Sequence, residues 1–417
     1  MKILIVNAYE KSGGAAKSAY RLYQALLEHN IDAMYYVFKK DTTDTRIFYL
    51  GSKFDKLKAF LANQIDQLQV KIYSNRKKML FSPNNTLFNG NNIEFINSCD
   101  ADIVHFHWVN GGMININDIS KIKKPLVWTM HDSWLFTGGC HIPYDCDNFL
   151  TRCSYCQVLG SRSKFDLSSL VFDKKSKVLL RLNLYIVSPS IWLYECAKDS
   201  MLLRNKSIQV IPNPIDTNIF FGLDKDISRK IVGLSDKFKK IILFSASFAT
   251  IDENKGFSYI YNIAQRSQFC NYLFVIIGGY LPMNLKKLSN MLFFGNISDE
   301  ITMNLFYNCA DVTVVPSRSE NLSNTIMESL SCGTPVAAFD IGGNADMVEH
   351  MINGYLAKPF DCDDLSFGIE WILNCTNYKN LAKNARKKVV NKFDKLVISK
   401  KYIDLYRQIF NKKNDDR

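Results

Sequence analysis

No stretch of the chain approaches the roughly 18 consecutive apolar residues that a membrane-crossing helix needs, so any membrane contact is expected to be peripheral. Met1 to Val6 carries one lysine and a short apolar run, but Asn7, Tyr9 and Glu10 cut it short of a signal-peptide core. The expectation is therefore a cytoplasmic protein in which the eleven cysteines are mostly reduced thiols. Low-complexity tracts are also missing, which argues against a disordered or fibrous chain. There is no recognisable RNA- or DNA-binding motif and no interleaving of aromatic with basic residues, so nucleic acid is not an expected partner.

What is present is an ordinary globular composition, 47% hydrophobic and 22% charged. A length of 417 residues exceeds what one core usually supports, and two domains of about 200 residues each follow. Lys and Arg number 52 against 40 Asp and Glu, a net charge of +12. The excess is dispersed, with small clusters at Arg76-Lys77-Lys78, Lys121 to Lys124 and Arg386-Lys387-Lys388. It favours anionic partners such as phosphorylated small molecules or an anionic membrane surface; a solvated basic surface with no partner is the plain alternative.

Lys2-Ile3-Leu4-Ile5-Val6 is an apolar run of buried-strand type, followed by Ser12-Gly13-Gly14 and a helical pattern from Ala16 to Leu27. Similar strands are expected at Asp102 to His107, Pro125 to Thr129 and Leu184 to Val187. A second series begins at Lys240 to Phe244 and continues at Tyr272 to Ile277, Met291 to Phe294, Val312 to Val315 and Pro335 to Phe339. Short apolar strands alternating with helical segments imply parallel α/β sheets, and two series imply two doubly wound units. Ile211-Pro212-Asn213-Pro214-Ile215-Asp216, rich in turn formers, is the expected hinge. Phe54, Leu57, Phe60, Leu61, Ile65, Leu68 and Ile72 recur at helical spacing among basic residues. That pattern fits packing against the first sheet or docking onto anionic lipid.

The richest segment runs from Val312 to Pro335 and reads as strand, loop, helix, glycine stop, strand. Ser323 is expected to cap the helix, Gly333 to end it and Pro335 to open the next strand. The loop then sits at the carboxyl end of a parallel sheet, where open α/β sheets bind ligands. The amides of Asn324 and Thr325, with the helix dipole, suit a diphosphate. Glu320 before the helix and Glu328 in its second turn are carboxylates suited to sugar and ribose hydroxyls.

On Glu320 and Glu328, separated by seven residues, the chain resembles the GT-B glycosyltransferases of family 4 (glycosyltransferase group 1). Ser188-Pro189-Ser190, Ile211 to Asp216, Asn254-Lys255-Gly256-Phe257 and Glu349 through Asn353-Gly354 look like further landmarks in family order. The resemblance implies two Rossmann-like doubly wound parallel-sheet domains of α/β class facing across a cleft. It implies an acceptor-binding domain over 1–210, a nucleotide-sugar-binding domain over 211–395, and a helix with a basic tail over 396–417 packing back on the first domain. The implied activity is retaining, metal-independent transfer of a sugar from a nucleotide-diphosphate sugar to a glycan or lipid-linked acceptor in bacterial surface polysaccharide synthesis, with no cofactor required for catalysis. In relatives the first Glu contacts the donor sugar, the second the ribose, and the Lys before Gly the diphosphate; these roles carry to Glu320, Glu328 and Lys255. Where relatives have an Arg five residues before that Lys, this chain has Thr250. The glycine-rich stretch after the first Glu is replaced by Asn321-Leu322-Ser323-Asn324.

In the first domain Gly13 and Gly14 would let backbone approach a donor phosphate or the acceptor. His131 follows a strand and resembles the family histidine that faces the transferred sugar. The family's reaction is a front-face displacement in which the donor phosphate takes the acceptor proton, so no protein nucleophile is needed. A glycosyl-enzyme intermediate would need one, and Glu320 is the candidate. Cys140, Cys146, Cys153 and Cys156 fall within seventeen residues and end in C-x2-C, which suits a structural zinc or a set of free structural thiols. A sugar-nucleotide epimerase of the same fold and a non-catalytic basic binding protein are the alternative functions.

Overall fold

The apolar runs become parallel strands because both of their faces are covered, and only a buried strand can be apolar at every position. The computed structural model describes residues 1–49, 53–84, 92–234 and 240–415. Its first sheet contains β1 (Lys2–Tyr9), β2 (Asp32–Lys39), β3 (Ile47–Tyr49), β4 (Ile103–Phe106), β5 (Leu126–Thr129), β6 (Leu184–Ser188) and β7 (Ile208–Val210) in the order β3-β2-β1-β4-β5-β6-β7. The second contains β8 (Lys240–Ser245), β9 (Tyr272–Ile277), β10 (Met291–Phe294), β11 (Val312–Val315), β12 (Val336–Phe339) and β13 (Gly354–Ala357) in the order β10-β9-β8-β11-β12-β13. Every strand pairing in the two sheets is parallel. Each sheet is a Rossmann-like, doubly wound parallel unit of α/β class, as expected.

Each sheet has a point where the chain, having added strands outward on one side, returns to the middle and builds the other way. In the first it lies between β1 and β4, in the second between β8 and β11. The loops leaving neighbouring strands there diverge and leave a crevice at the carboxyl ends, where such sheets bind ligands.

Side-chain alternation assigns each strand to two cores. Leu4 and Val6 of β1 pack with Phe106 and Trp128 on one face, whereas Ile3 and Ile5 pack on the other with Tyr402, Tyr406 and Ile409. In β8, Ile241 and Leu243 face one core and Ile242 and Phe244 the other. Asp311, just before β11, accepts hydrogen bonds from the Ile241 amide, Lys225 and Arg229, each at 2.7 Å. It thus fixes the register of β8 against β11 at the end of the sheet away from the crevice.

The chain divides into one unit of Met1–Pro212 with Ile398–Arg417, and another of Asn213–Val397. The last helix, Lys395–Asp415, therefore starts in the second unit and supplies part of the first unit's core. Buried Ile398, Tyr402, Tyr406 and Ile409 provide the apolar attachment, on the order of 1.5–3 kcal/mol for each fully buried large side chain.

The helix Lys53–Lys71 is inverted relative to a core-facing amphipathic helix. Among its described side chains, Ala62, Asp66 and Val70, spaced by four, are buried. Phe54, Leu57, Phe60, Leu68 and the following Ile72 are all more than half exposed. Packing of the large apolar stripe against the first sheet is thereby corrected: the small residues at every fourth position face inward instead.

Candidate active site

In the second unit, the loops that follow β8 and β11 meet at the crevice. Helix Phe257–Ala264 follows the β8 loop, and helix Asn324–Ser331 follows the β11 loop. The two loops are joined by hydrogen bonds from the Arg318 amide to Asn254 O at 2.8 Å and from Asn254 Nδ2 to Ser319 O at 3.0 Å. Gly256 makes that approach possible: its φ is +74°, and a β-carbon there would lie 2.0 Å from Pro316 O. Gly342 does the same beneath Glu320, where a β-carbon would lie 1.8 Å from the Glu320 carbonyl oxygen.

These contacts bring Lys255 and Glu320 together. Lys255 Nζ lies 2.7 Å from Glu320 Oε1, and Ser317 Oγ donates to the same oxygen at 2.9 Å. Both side chains are partly exposed, at 24% and 17%, so a ligand can reach the pair. The arrangement offers a cation and an oriented carboxylate side by side, the chemistry needed for a phosphate next to a polyol.

Glu328 lies at a different depth. It is buried on the helix Asn324–Ser331, and its Oε2 accepts from Tyr307 OH at 2.9 Å. Burial, and then the Glu328 charge, push the Tyr307 hydroxyl well above its ordinary pKa, so Tyr307 stays a donor. Ser323 occupies the N-cap position with extended backbone, but its side chain makes no capping hydrogen bond, contrary to expectation. Ser323 is buried, and Thr325 Oγ1 ties the first turn to Ser245 O at the end of β8, at 3.3 Å. Thr250, in the β8 loop, packs beside Gly279 at the end of β9.

In the first unit, Gly13 precedes the helix Gly14–Glu28 with φ +90°, and both glycines are exposed in the β1 loop. Beyond β4, the Trp108 amide donates to Asn7 Oδ1 at 2.8 Å, and Trp108 stacks on Tyr9 with ring centroids 5.8 Å apart. His107 and His131 emerge from the carboxyl ends of the adjacent strands β4 and β5, and His107 Nδ1 lies 2.8 Å from His131 Nε2. A recess of about 240 Å³, counted to its open mouth, is lined by His107, Trp108, Asn110, His131, Asp132 and Trp134, among others.

Burial holds these imidazoles neutral. It lowers the His131 pKa to about 4 against the opposing pull of Asp132, and depresses His107 well below the ordinary value. His105, one turn of the strand behind, is lowered to about 3 by burial and the neighbouring His131. Its Nδ1 lies 2.6 Å from Tyr406 OH and its Nε2 2.8 Å from Thr129 Oγ1, and Thr129 Oγ1 lies 2.9 Å from Tyr402 OH. Burial would raise the Asp132 pKa, but His141 and the Trp134 amide outweigh it and keep the carboxyl below its usual range. His141 Nδ1 donates to Asp132 Oδ2 at 2.6 Å, and its Nε2 lies 2.8 Å from Ser82 Oγ.

His105, His107, Asp132 and His141 were not singled out as a group by the sequence reading. The available signal was the His-x-His spacing in a strand, which places both rings on one face and aims the second at the strand end. The tyrosine partners, some 300 residues away, carry no such signal.

The four cysteines do not form the expected zinc site. Cys140, Cys153 and Cys156 are buried in the first unit's apolar core, and Cys146 is half-buried. Among the described residues no three His, Cys, Asp or Glu side chains are gathered to hold a metal ion. Burial, chiefly, raises the Cys140 pKa to about 12 and raises Cys153 and Cys156 as well, which fits the reading of free structural thiols. Cys153 Sγ accepts from the Gly138 amide at 3.1 Å. Buried Lys175 anchors the same segment: its Nζ donates to Trp134 O and Thr137 O and sits 3.5 Å from the Trp134 ring centroid.

Comparisons with known proteins agree with the fold. Residues 224–388 match the family Glycosyl transferases group 1. The chain is 28% identical over 228 residues, 51% of its length and 56% of the other's, to the UDP-Gal:alpha-D-GlcNAc-diphosphoundecaprenol alpha-1,3-galactosyltransferase of Escherichia coli. A sucrose-phosphate synthase from Thermosynechococcus elongatus superposes with a TM-score of 0.68 at 17% identity, covering 99% of this chain and 100% of that one. HepE of Anabaena, solved in complex with UDP-glucose, superposes with a TM-score of 0.62 at 16% identity over 98% and 100% of the two chains. The chain spans about half the length of the first curated relatives it matches.

Proposed function

We propose that the chain, whose residues 224–388 match the glycosyl transferases group 1 family, is a retaining transferase that moves a sugar from a nucleotide-diphosphate sugar to a hydroxyl of a glycan or lipid-linked acceptor. The observation that carries this reading is the Lys255–Glu320 pair at the switch point of the second sheet. Lys255 and the amides at the start of the helix Asn324–Ser331 take the diphosphate, and Glu320 takes a hydroxyl of the donor sugar. Glu328, with its carboxylate oriented by Tyr307, is the ribose partner. His131 and the exposed Gly13–Gly14 loop are the first unit's contributions. The complexes of HepE with UDP-glucose support the donor class, and the diphosphoundecaprenol in the name of the E. coli relative supports a lipid-linked acceptor in surface polysaccharide synthesis.

In this reaction the bond from the anomeric carbon to the phosphate oxygen breaks and its electron pair leaves with the diphosphate. The acceptor oxygen bonds to the same face, and its proton passes to the departing phosphate oxygen. Lys255 and the helix amides stabilise the charge that accumulates there. Lys255 supplies the cation beside the leaving group in this reading. Direct displacement is the proposed course; a glycosyl-enzyme intermediate would need Glu320 as its nucleophile.

Peripheral membrane docking is part of the same proposal. The apolar stripe Phe54, Leu57, Phe60, Leu68 and Ile72 is exposed, and Lys58, Lys71, Arg76, Lys77 and Lys78 border it. Apolar insertion bordered by cations fits an anionic bilayer, whereas two copies meeting on this face would oppose their lysines.

The test is a panel of nucleotide-diphosphate sugars, with release of nucleoside diphosphate followed with and without a polyprenyl-diphosphate sugar, and the anomeric configuration of the product read by NMR. Acceptor-dependent release with retained configuration is expected. Inversion, or conversion of the donor with no acceptor present, would overturn the reading.

A further inference from the structure

The pairing of His107 with His131 determines what His131 can do, and resting on the reading above, it deepens the role of that site. One ring must donate across the 2.8 Å contact and the other must accept. If His131 donated from Nε2, His107 would carry its own proton on Nε2. That atom is buried, in a residue 3% exposed, and has no partner among the described residues. A buried N–H without an acceptor costs about 1–3 kcal/mol and is rarer in proteins than an acceptor short of one bond. If His107 donates from Nδ1 instead, the atom left without a partner is a bare nitrogen. Neighbouring His105, with ring centroids 4.3 Å away, offers no relief, because both of its nitrogens are taken by Tyr406 and Thr129.

We propose that His107 donates its Nδ1–H to His131 Nε2 and thereby holds His131 in the Nδ1–H tautomer. His107 is then a positioning residue that keeps the proton of neutral His131 on Nδ1. The Nε2 lone pair of His131 is occupied, so it does not take the acceptor's proton; that proton goes to the departing phosphate oxygen. The near-parallel rings, 24° apart with centroids 5.0 Å apart, leave His131 little freedom to turn away.

Long-range proton–nitrogen correlation spectra of the full-length protein carrying ¹⁵N-histidine test this directly, with His131→Gln identifying the His131 signals. The expected spectrum has a protonated Nδ1 and a bare Nε2 on His131. A protonated Nε2, or a charged ring, overturns the proposal. In His107→Leu, which keeps bulk and removes the donor, the His131 pattern should change and kcat should fall about tenfold with KM nearly constant. His107→Asn, whose amide nitrogen can take the place of Nδ1, should restore both. Undisturbed His29 and His350 signals report that each variant is folded. A His131 pattern unchanged in His107→Leu overturns the positioning role. The assigned tautomer together with full transfer activity in His131→Gln would support the pairing and overturn the functional reading of His131 instead.

Discussion

The two switch points share a topology and differ in chemistry. At β8/β11 the meeting side chains are a lysine and a glutamate, partly exposed and joined through loops pinned by glycines. At β1/β4, extended to β5, they are neutral imidazoles, indoles and one braced carboxylate, mostly buried. In the proposed reaction a charged, accessible pair suits an anionic leaving group, whose charge changes most. In the same proposal, neutral donors and acceptors against aromatic faces suit a sugar, whose charge changes less and whose hydroxyls must be oriented. Under the proposed function, the same kind of parallel sheet would serve either half of a transfer, depending on which residues its strand ends carry.

That contrast can be broken most forcefully in the second unit. Lys255→Ala or Glu320→Gln should lower kcat/KM by about 10²- to 10³-fold with the fold intact, measured as nucleoside diphosphate release alongside thermal unfolding. Full activity in either variant would show that the pair is structural.

A smaller effect should separate the units in acid. Unfolded histidines take up protons near pH 6.5, but folded His131 does so only near 4 and His105 only near 3. Between those limits the unfolded state binds more protons, so stability is lost as pH falls below 6.5 and is fully present above it. The loss is about 1.4 kcal/mol per pH unit for each such histidine. The second unit contains one histidine, His350, so urea unfolding at pH 7.5, 6 and 5 should show the first unit weakening ahead of it. Parallel weakening of both units would contradict the buried imidazole assignment.

The smallest effect on the fold is expected at the inverted helix. Phe60→Ser with Ile72→Ser should change stability by no more than about 0.5 kcal/mol per site, yet abolish cosedimentation with vesicles containing phosphatidylglycerol. Wild-type protein that ignores such vesicles at low salt, or that self-associates through this face, would remove lipid as the occupant.

Legibility in the sequence followed the physics of each feature. Tyr272–Ile277 and Met291–Phe294 could be delimited to the residue because strands buried on both faces are continuous apolar runs. β2, β7 and β13 were passed over: β2 mixes tyrosine, methionine and charge, and β7 has three residues. The helix Lys53–Lys71 shows the limit of periodicity, which reports an apolar stripe but not whether the stripe faces inward. The cysteine spacing likewise reported proximity, but burial turned the thiols into packing groups.

By itself the sequence determined two parallel α/β units, the turn-rich segment near residue 210 and the segment bearing Glu320 and Glu328, because local runs, glycines and short spacings encode these directly. The tertiary structure alone decided that Glu328 is buried under Tyr307, that Lys255 and Glu320 form a pair, and that His107 reaches His131. It also decided that a helix from the far end of the chain places Tyr402 and Tyr406 beside Thr129 and His105. Those contacts join residues from 21 to 301 positions apart, and such neighbours are chosen by the packing of the whole domain, which no local pattern records.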